Sequence, residues 1–260
     1  MGVGELMKFT FLLLGVLAAC ATPVPPTSGP EKTDIVFLHG SHFDASSWDR
    51  VRGHMPIDRR TIMLNIPHRT LAPVLTLKEA AERACQETPG PSIFVAHSFA
   101  GAIVHQMVNV CPEKIKQIIY VAAVVVLPGE RPVLTFSAQD QENYAQAIDF
   151  SEEWMTPKER DQFFAIMAGP KYEADPVQPP IYRESSKMAE EKLEFDVNVW
   201  KKIPKGYIYT RDDLVISRES QESFAQKAKV QKTHAIYSGH LPMLTHPEYL
   251  ADAIRDLANE

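Results

Sequence analysis

The sequence predicts an α/β protein with a mostly parallel sheet flanked by helices and one long inserted segment. Three observations lead there. Short, wholly apolar runs recur, each closed by a turn residue, as strands buried on both faces require. Stretches with apolar residues at helical spacing separate them, which is the β-α-β order of crossover connections. The alternation lapses between Pro128 and Pro204 and then resumes, so that region sits between two core strands as an insertion. The 260 residues suffice for one such domain, and a composition of 45% hydrophobic and 23% charged residues is ordinary for a globular chain.

Taken in order, Asp34 to Leu38 is a strand ended by His39-Gly40, and a helix follows around Ser47 to Met55. Thr61 to Ile66 is the next strand, broken by Pro67. Thr76 and Glu79 form a capping box, and Leu77, Ala80, Ala81, Ala84 and Cys85 make one helical stripe behind it. Ser92 to Ala96 is a strand, and Ala100, Ile103, Val104, Met107, Val108 and Cys111 continue as a helix until Pro112. Ile118 to Leu127 is almost entirely apolar and predicts a central strand. After the insertion come a strand at Gly206 to Thr210, a helix near Ser217 to Lys229, a strand at Thr233 to Tyr237 and a last helix from Pro247.

The N-terminus differs from the rest. Lys8 precedes the apolar run Phe9 to Ala19, too short to span a bilayer, which takes about 20 residues. It suits the apolar core of a secretory signal over residues 1–19. Leu17-Ala18-Ala19-Cys20 resembles the lipobox of bacterial lipoproteins, which implies that Cys20 carries lipid and begins the mature chain. Ala21 rather than Asp after it implies the outer membrane, facing the periplasm. The other reading is a plain signal peptide that happens to end near a cysteine; Glu5 partly offsets Lys8, and Met7 is a second possible start. Residues 20–32, rich in proline, are the lipid-attachment cysteine and a linker, and 33–260 are the folded domain. In an oxidising compartment the remaining Cys85 and Cys111 invite a disulfide; two small buried thiols are the alternative.

The net charge of −6 argues against nucleic acid and against a polybasic membrane patch. The nine histidines are scattered with no metal-ligand spacing, so no metal and no cofactor is expected.

The chemistry centres on Val95-Ala96-His97-Ser98-Phe99-Ala100-Gly101. A strand ends and a helix begins within three residues. At so sharp a turn the central side chain projects outward, and the residues two away on either side must be small. The usual G-x-S-x-G is here A-x-S-x-A. A serine can also merely cap a helix, but capping would not require small neighbours on both sides. Ser98 as nucleophile needs a base, and His240, in the loop after strand Thr233 to Tyr237, has the right place. His97 is adjacent to Ser98 and points away; His39 looks structural; His68 follows a strand and could line a pocket; His105, His234 and His246 lie in or at regular elements. The acid that orients the base is Asp212 or Asp213; the site after the preceding strand is vacant unless Glu130 fills it. Backbone N–H groups of Phe99 and Ser41 are placed to stabilise an oxyanion.

Together these segments resemble the α/β-hydrolase superfamily, and within it the branch of plant methylesterases, hydroxynitrile lyases and bacterial pyrethroid-hydrolase-like esterases. The resemblance rests on Phe37 to Ser41 with Trp48, Val95 to Gly101, Ile119 to Ala123, Asp213 to Ser217 with Gln221, and Ser238-Gly239-His240. It implies the α/β-hydrolase fold, the chain order Ser98, Asp213, His240, and an inserted cap at about 128–204. By the same resemblance Asp213, four residues before Ser217, matches the catalytic acid, with Asp212 the other candidate. In the lyases a Thr stands at the position of Gly40 and a Lys at that of Leu241; both departures favour hydrolysis of a carboxylic ester. Trp154, Met155, Phe163, Phe164, Met167 and Trp200 either line the site or form the cap's own small core, the latter preferred. An apolar cap suits an uncharged ester with a hydrophobic part as the small-molecule partner. A lyase of the same family, or a non-catalytic lipoprotein on this fold, are the alternatives.

Overall fold

Runs of consecutive apolar residues put strands in the middle of a sheet, where both faces are covered. The computed structural model describes residues 1–2, 32–66, 75–169 and 178–258. The predicted export signal, Cys20, the linker through Glu31, and His68 lie outside the described residues.

Among the described residues the elements begin with β1 (Ile35–Leu38), buried along its whole length, then α1 (Asp49–His54) and β2 (Thr61–Leu64). Next come α2 (Leu77–Glu87), β3 (Ser92–His97), α3 (Ala100–Val110) and β4 (Ile115–Val121). The inserted region holds α4 (Ala138–Ala147), β5 (Ile148–Phe150), β6 (Trp154–Pro157), α5 (Arg160–Ala168), β7 (Glu184–Ser185), α6 (Ser186–Glu190) and α7 (Val197–Lys202). The chain then returns as β8 (Lys205–Thr210), α8 (Arg218–Ala228), β9 (Lys232–Ile236), α9 (Pro242–Thr245) and α10 (Pro247–Ala258).

Among the described residues six strands form one sheet in the order β2-β1-β3-β4-β8-β9, every neighbouring pair parallel. The carboxyl ends of all six therefore lie at one edge. The Thr76–Glu79 capping box starts α2, and its five-residue stripe is buried. Cys85, in that stripe, is joined by a disulfide to Cys111 at the end of α3, across Cα atoms 6.1 Å apart.

The central strand is shorter than its apolar run. It begins at Ile115 and stops at Val121, whereas the run predicts a strand from Ile118 to Leu127. Ala122 turns with φ 42°, and the Val124 N–H then bonds the Ser98 carbonyl instead of a strand. Residues 122–126 stay fully buried because they pass beneath α3. The approach is so close that a Cβ on Gly101 would lie 2.1 Å from the Val124 carbonyl oxygen. Apolarity there reports burial, not strand.

Within the insertion β5, β6 and β7 form a small antiparallel sheet. Phe163 and Phe164 of α5 pack on Phe43, in the loop after β1, with ring centroids 5.8 and 6.3 Å away. Met155 and Met167 are buried, and Trp154 stacks under the Arg183 guanidinium. Trp200 is different. Its ring packs on His105 of α3 and its Nε1–H donates to the Tyr120 hydroxyl, so it belongs to the main core.

Candidate active site

Ser98 stands between the last residue of β3 and the first turn of α3 with φ 54°, in the left-handed region that side chains other than glycine avoid. Its backbone is held from three sides. The N–H donates to Val121 O at 3.1 Å, and the carbonyl accepts from Gly101 N at 3.1 Å and Val124 N at 3.2 Å. Ala96 and Ala100 are fully buried on either side. Methyl groups are thus accommodated where glycines are usual, and the tight position has moved one residue on, to Gly101.

The parallel sheet brings the other groups to the same edge. Asp213 follows β8 and His240 follows β9. His240 Nδ1 lies 2.8 Å from Asp213 Oδ2, and His240 Nε2 lies 2.8 Å from Ser98 Oγ. A carboxylate only accepts, so Nδ1 carries the hydrogen and Nε2 is left to accept the Ser98 hydroxyl proton. His240 is fully buried. Asp213 is held on both oxygens: Oδ1 accepts from Val215 N at 2.8 Å and Ile216 N at 2.9 Å, and Oδ2 accepts also from Thr210 Oγ1 at 2.8 Å. Gln221, which caps the open end of β8 by accepting from Thr210 N, sits against the same carboxylate. Of the two candidate acids, then, Asp213 touches the imidazole; Asp212 pairs through its backbone N–H with Ser238 O. Glu130 accepts from Leu127 N and meets Lys227, so it does not fill the vacant acid position.

The loop after β1 passes over Ser98. A Cβ on Gly40 would lie 2.9 Å from Ser98 Cβ and 2.6 Å from His97 Nδ1, which only glycine permits. Among the described residues, no acceptor takes the amide hydrogens of Ser41 or Phe99. Phe99 directly follows the serine, and Ser41 directly follows Gly40, the point at which this loop comes close to Ser98.

The remaining histidines sort by partner. His39 accepts from Ile66 N on Nε2 and donates from Nδ1 to Gly40 O, a structural role that shapes the loop. His97 turns away from Ser98 Oγ, yet it is not idle. Its Nε2–H donates to the His240 carbonyl at 2.8 Å, with the rings 4.8 Å apart. Burial, and the neighbouring His240, hold it well below the usual imidazole range, so it stays neutral. His234 pairs with Asp256 at the sheet edge, and His105 lies inside α3. His42 carries no sequence signal. It has φ 69° directly after Ser41 and hydrogen-bonds into the insertion.

Residues 35–253 match the alpha/beta hydrolase family, and the chain belongs to it. Among curated proteins it is similar to a pyrethroid hydrolase from Sphingobium wenxiniae, 26% identical over 87% of this chain and 88% of the relative. Among solved structures, a pyrethroid hydrolase from Sphingobium faniae JZ-2 superposes with a TM-score of 0.74 at 21% identity, over 87% of this chain and 97% of the other. Polyneuridine aldehyde esterase superposes with a TM-score of 0.72 at 16% identity, over 88% of this chain and all of that one.

Proposed function

We propose that the chain is a carboxylic ester hydrolase that works through an acyl-enzyme, with Ser98 as nucleophile. The reading rests on one observation above the others: the unbroken hydrogen-bond line Asp213–His240–Ser98, ending on a serine in left-handed backbone. Ser98 Oγ attacks the ester carbonyl as its proton passes to His240 Nε2, and the charge left on His240 is stabilised by Asp213. The Ser41 and Phe99 amides donate to the oxyanion of the tetrahedral intermediate. Collapse expels the alcohol, which takes the proton from His240. Water then repeats the cycle on the acyl-enzyme and frees the acid. The inserted region, packed on the loop after β1, acts as the cap, and its apolar content suits an ester with a hydrophobic acyl or alcohol part. The pyrethroid hydrolases among the relatives are consistent with such a substrate.

Cyanohydrin cleavage is disfavoured because this chain has Gly40 where the lyases have a Thr, and the loop passes Ser98 too closely here to take that side chain, a Cβ falling 2.9 Å from Ser98 Cβ.

The test is a fluorophosphonate probe together with p-nitrophenyl esters of rising chain length. Wild type should label and turn over; Ser98→Ala should lose labelling and at least about 10⁴-fold in kcat. Labelling retained by Ser98→Ala would remove Ser98 as the nucleophile.

We also propose that residues 1–19 are a signal peptide and that Cys20 anchors the mature chain by lipid to the outer membrane, facing the periplasm. The support is the lipobox-like Leu17-Ala18-Ala19-Cys20 after a short apolar run. Cells fed radiolabelled palmitate should label the native chain and not Cys20→Ser; equal labelling of the two defeats the anchor.

A further inference from the structure

The inserted region reaches the loop after β1 through a set of directed hydrogen bonds, and these converge on His42. Tyr182 N–H donates to His42 O at 2.9 Å, and His42 Nδ1 lies 2.9 Å from Tyr182 O. A carbonyl only accepts, so Nδ1 carries the hydrogen and Nε2 is an acceptor. Nε2 takes the hydrogen of the Tyr144 hydroxyl at 2.5 Å. Burial and the negative Glu184 nearby push the Tyr144 hydroxyl well above its ordinary range, so it remains a donor. Two residues on from His42, Asp44 accepts from the Tyr182 hydroxyl at 2.8 Å.

Tyr144 is presented from a fixed base. One turn earlier on α4, the fully buried Asp140 accepts from Ser217 N at 3.0 Å and from Ser220 Oγ at 2.5 Å. That ties α4 to the start of α8, four residues beyond Asp213. His42 in turn needs holding. Its φ of 69° is disfavoured for a side chain other than glycine, by about 1 kcal/mol. Such a conformation persists only where its surroundings over-determine it.

We propose that His42 is a positioning residue for the oxyanion hole, and that Tyr144 and Tyr182 hold it there, so that the inserted region completes the catalytic geometry as well as covering it. The left-handed turn at His42 orients the loop that carries the Ser41 amide. This rests on the esterase reading above. An oxyanion donor acts mainly in the transition state, so misplacing it lowers kcat more than it raises KM.

The experiment is Tyr144→Phe, which deletes one oxygen and keeps the ring. Against the best p-nitrophenyl ester, kcat should fall 10- to 100-fold, in the range a displaced donor loses, with KM within about twofold. Affinity for a trifluoromethyl ketone, which mimics the tetrahedral oxyanion, should fall by the same factor as kcat/KM, in a protein that still unfolds cooperatively above the assay temperature. His42→Asn tolerates the left-handed backbone and keeps an amide at the Nδ1 position but cannot reach Tyr144. It should lose as much as Tyr144→Phe, and the double variant should lose no more than either, since both break one bond. Wild-type kcat and wild-type affinity for the ketone in Tyr144→Phe would overturn the proposal, and so would a change in KM or thermal midpoint alone. Should Tyr144→Phe not fold, His42→Asn carries the same comparison. A wild-type protein that neither labels nor turns over any ester fails in its own control, and that result counts against the esterase reading, not against this one.

Discussion

Ser98 shows how a single backbone angle serves the site. With φ 54° its side chain leaves the line of β3 and stands where His240 can reach it. The conformation costs about 1 kcal/mol in any residue with a Cβ. Glycine does not incur that cost. Two variants should therefore separate: Ser98→Gly should be more stable than Ser98→Ala by about 1 kcal/mol, read as a higher urea midpoint at unchanged m-value. Equal midpoints would mean that the turn is relaxed in solution. The small residues around Ser98 were legible in the sequence, because a sharp turn has a local steric signature. His42 was not. Nothing near it in the chain marks a histidine at positive φ, and its partners Tyr144 and Tyr182 are 102 and 140 residues away.

Helix α3 carries the serine turn at one end and a buried polar chain further along. His105, fully buried, donates from Nδ1 to Val126 O at 2.8 Å and accepts on Nε2 from the Tyr120 hydroxyl at 2.7 Å. That hydroxyl accepts in turn from Trp200 Nε1–H. Every proton in this chain is assigned only if His105 is neutral. Burial lowers its pKa to about 3. The sign follows from linkage: between pH 6.5 and 3 the unfolded chain binds a proton at this residue and the folded chain does not. His105 therefore gives its full stabilisation above about pH 6.5 and loses it as pH falls toward 3. His97 acts in the same direction. His105→Gln, which does not titrate, should flatten the fall of unfolding free energy below pH 6 by up to about 1.4 kcal/mol per pH unit. Urea titrations at half-unit intervals measure this. An unchanged slope would mean that His105 titrates normally in the folded protein. Trp200 belongs to this chain and not to the insertion's own core, for a physical reason: α7 is the insertion's last helix, and it turns its indole back into the sheet domain to close the chain.

At the scale of the whole molecule the parallel sheet does most of the assembly. Because β1, β3, β8 and β9 all run the same way, the loops bearing Ser41, Ser98, Asp213 and His240 emerge at one edge. Residues separated by 27 and 142 positions then meet within 2.8 Å. Ligands of open α/β sheets bind at this edge for the same reason. The insertion packs on that edge through Phe43 and His42. It is the part of the fold least visible in advance, since its short antiparallel strands have neither the length nor the apolar runs of the main sheet.

The sequence by itself determined the α/β class, the order of the core elements, the serine turn and the histidine and acid loops. Those depend on spacing, capping and burial within some ten residues, and such signals survive in one dimension. Only the tertiary structure decided that Asp213 and not Asp212 touches His240, that β4 ends at Val121 although the apolar run continues, and that His42 faces Tyr144. Each of these is a choice between residues of equal local credentials. Apolarity, charge and hydrogen-bonding capacity are the same on either side of the choice. Only the three-dimensional neighbour, brought from far along the chain, tells them apart.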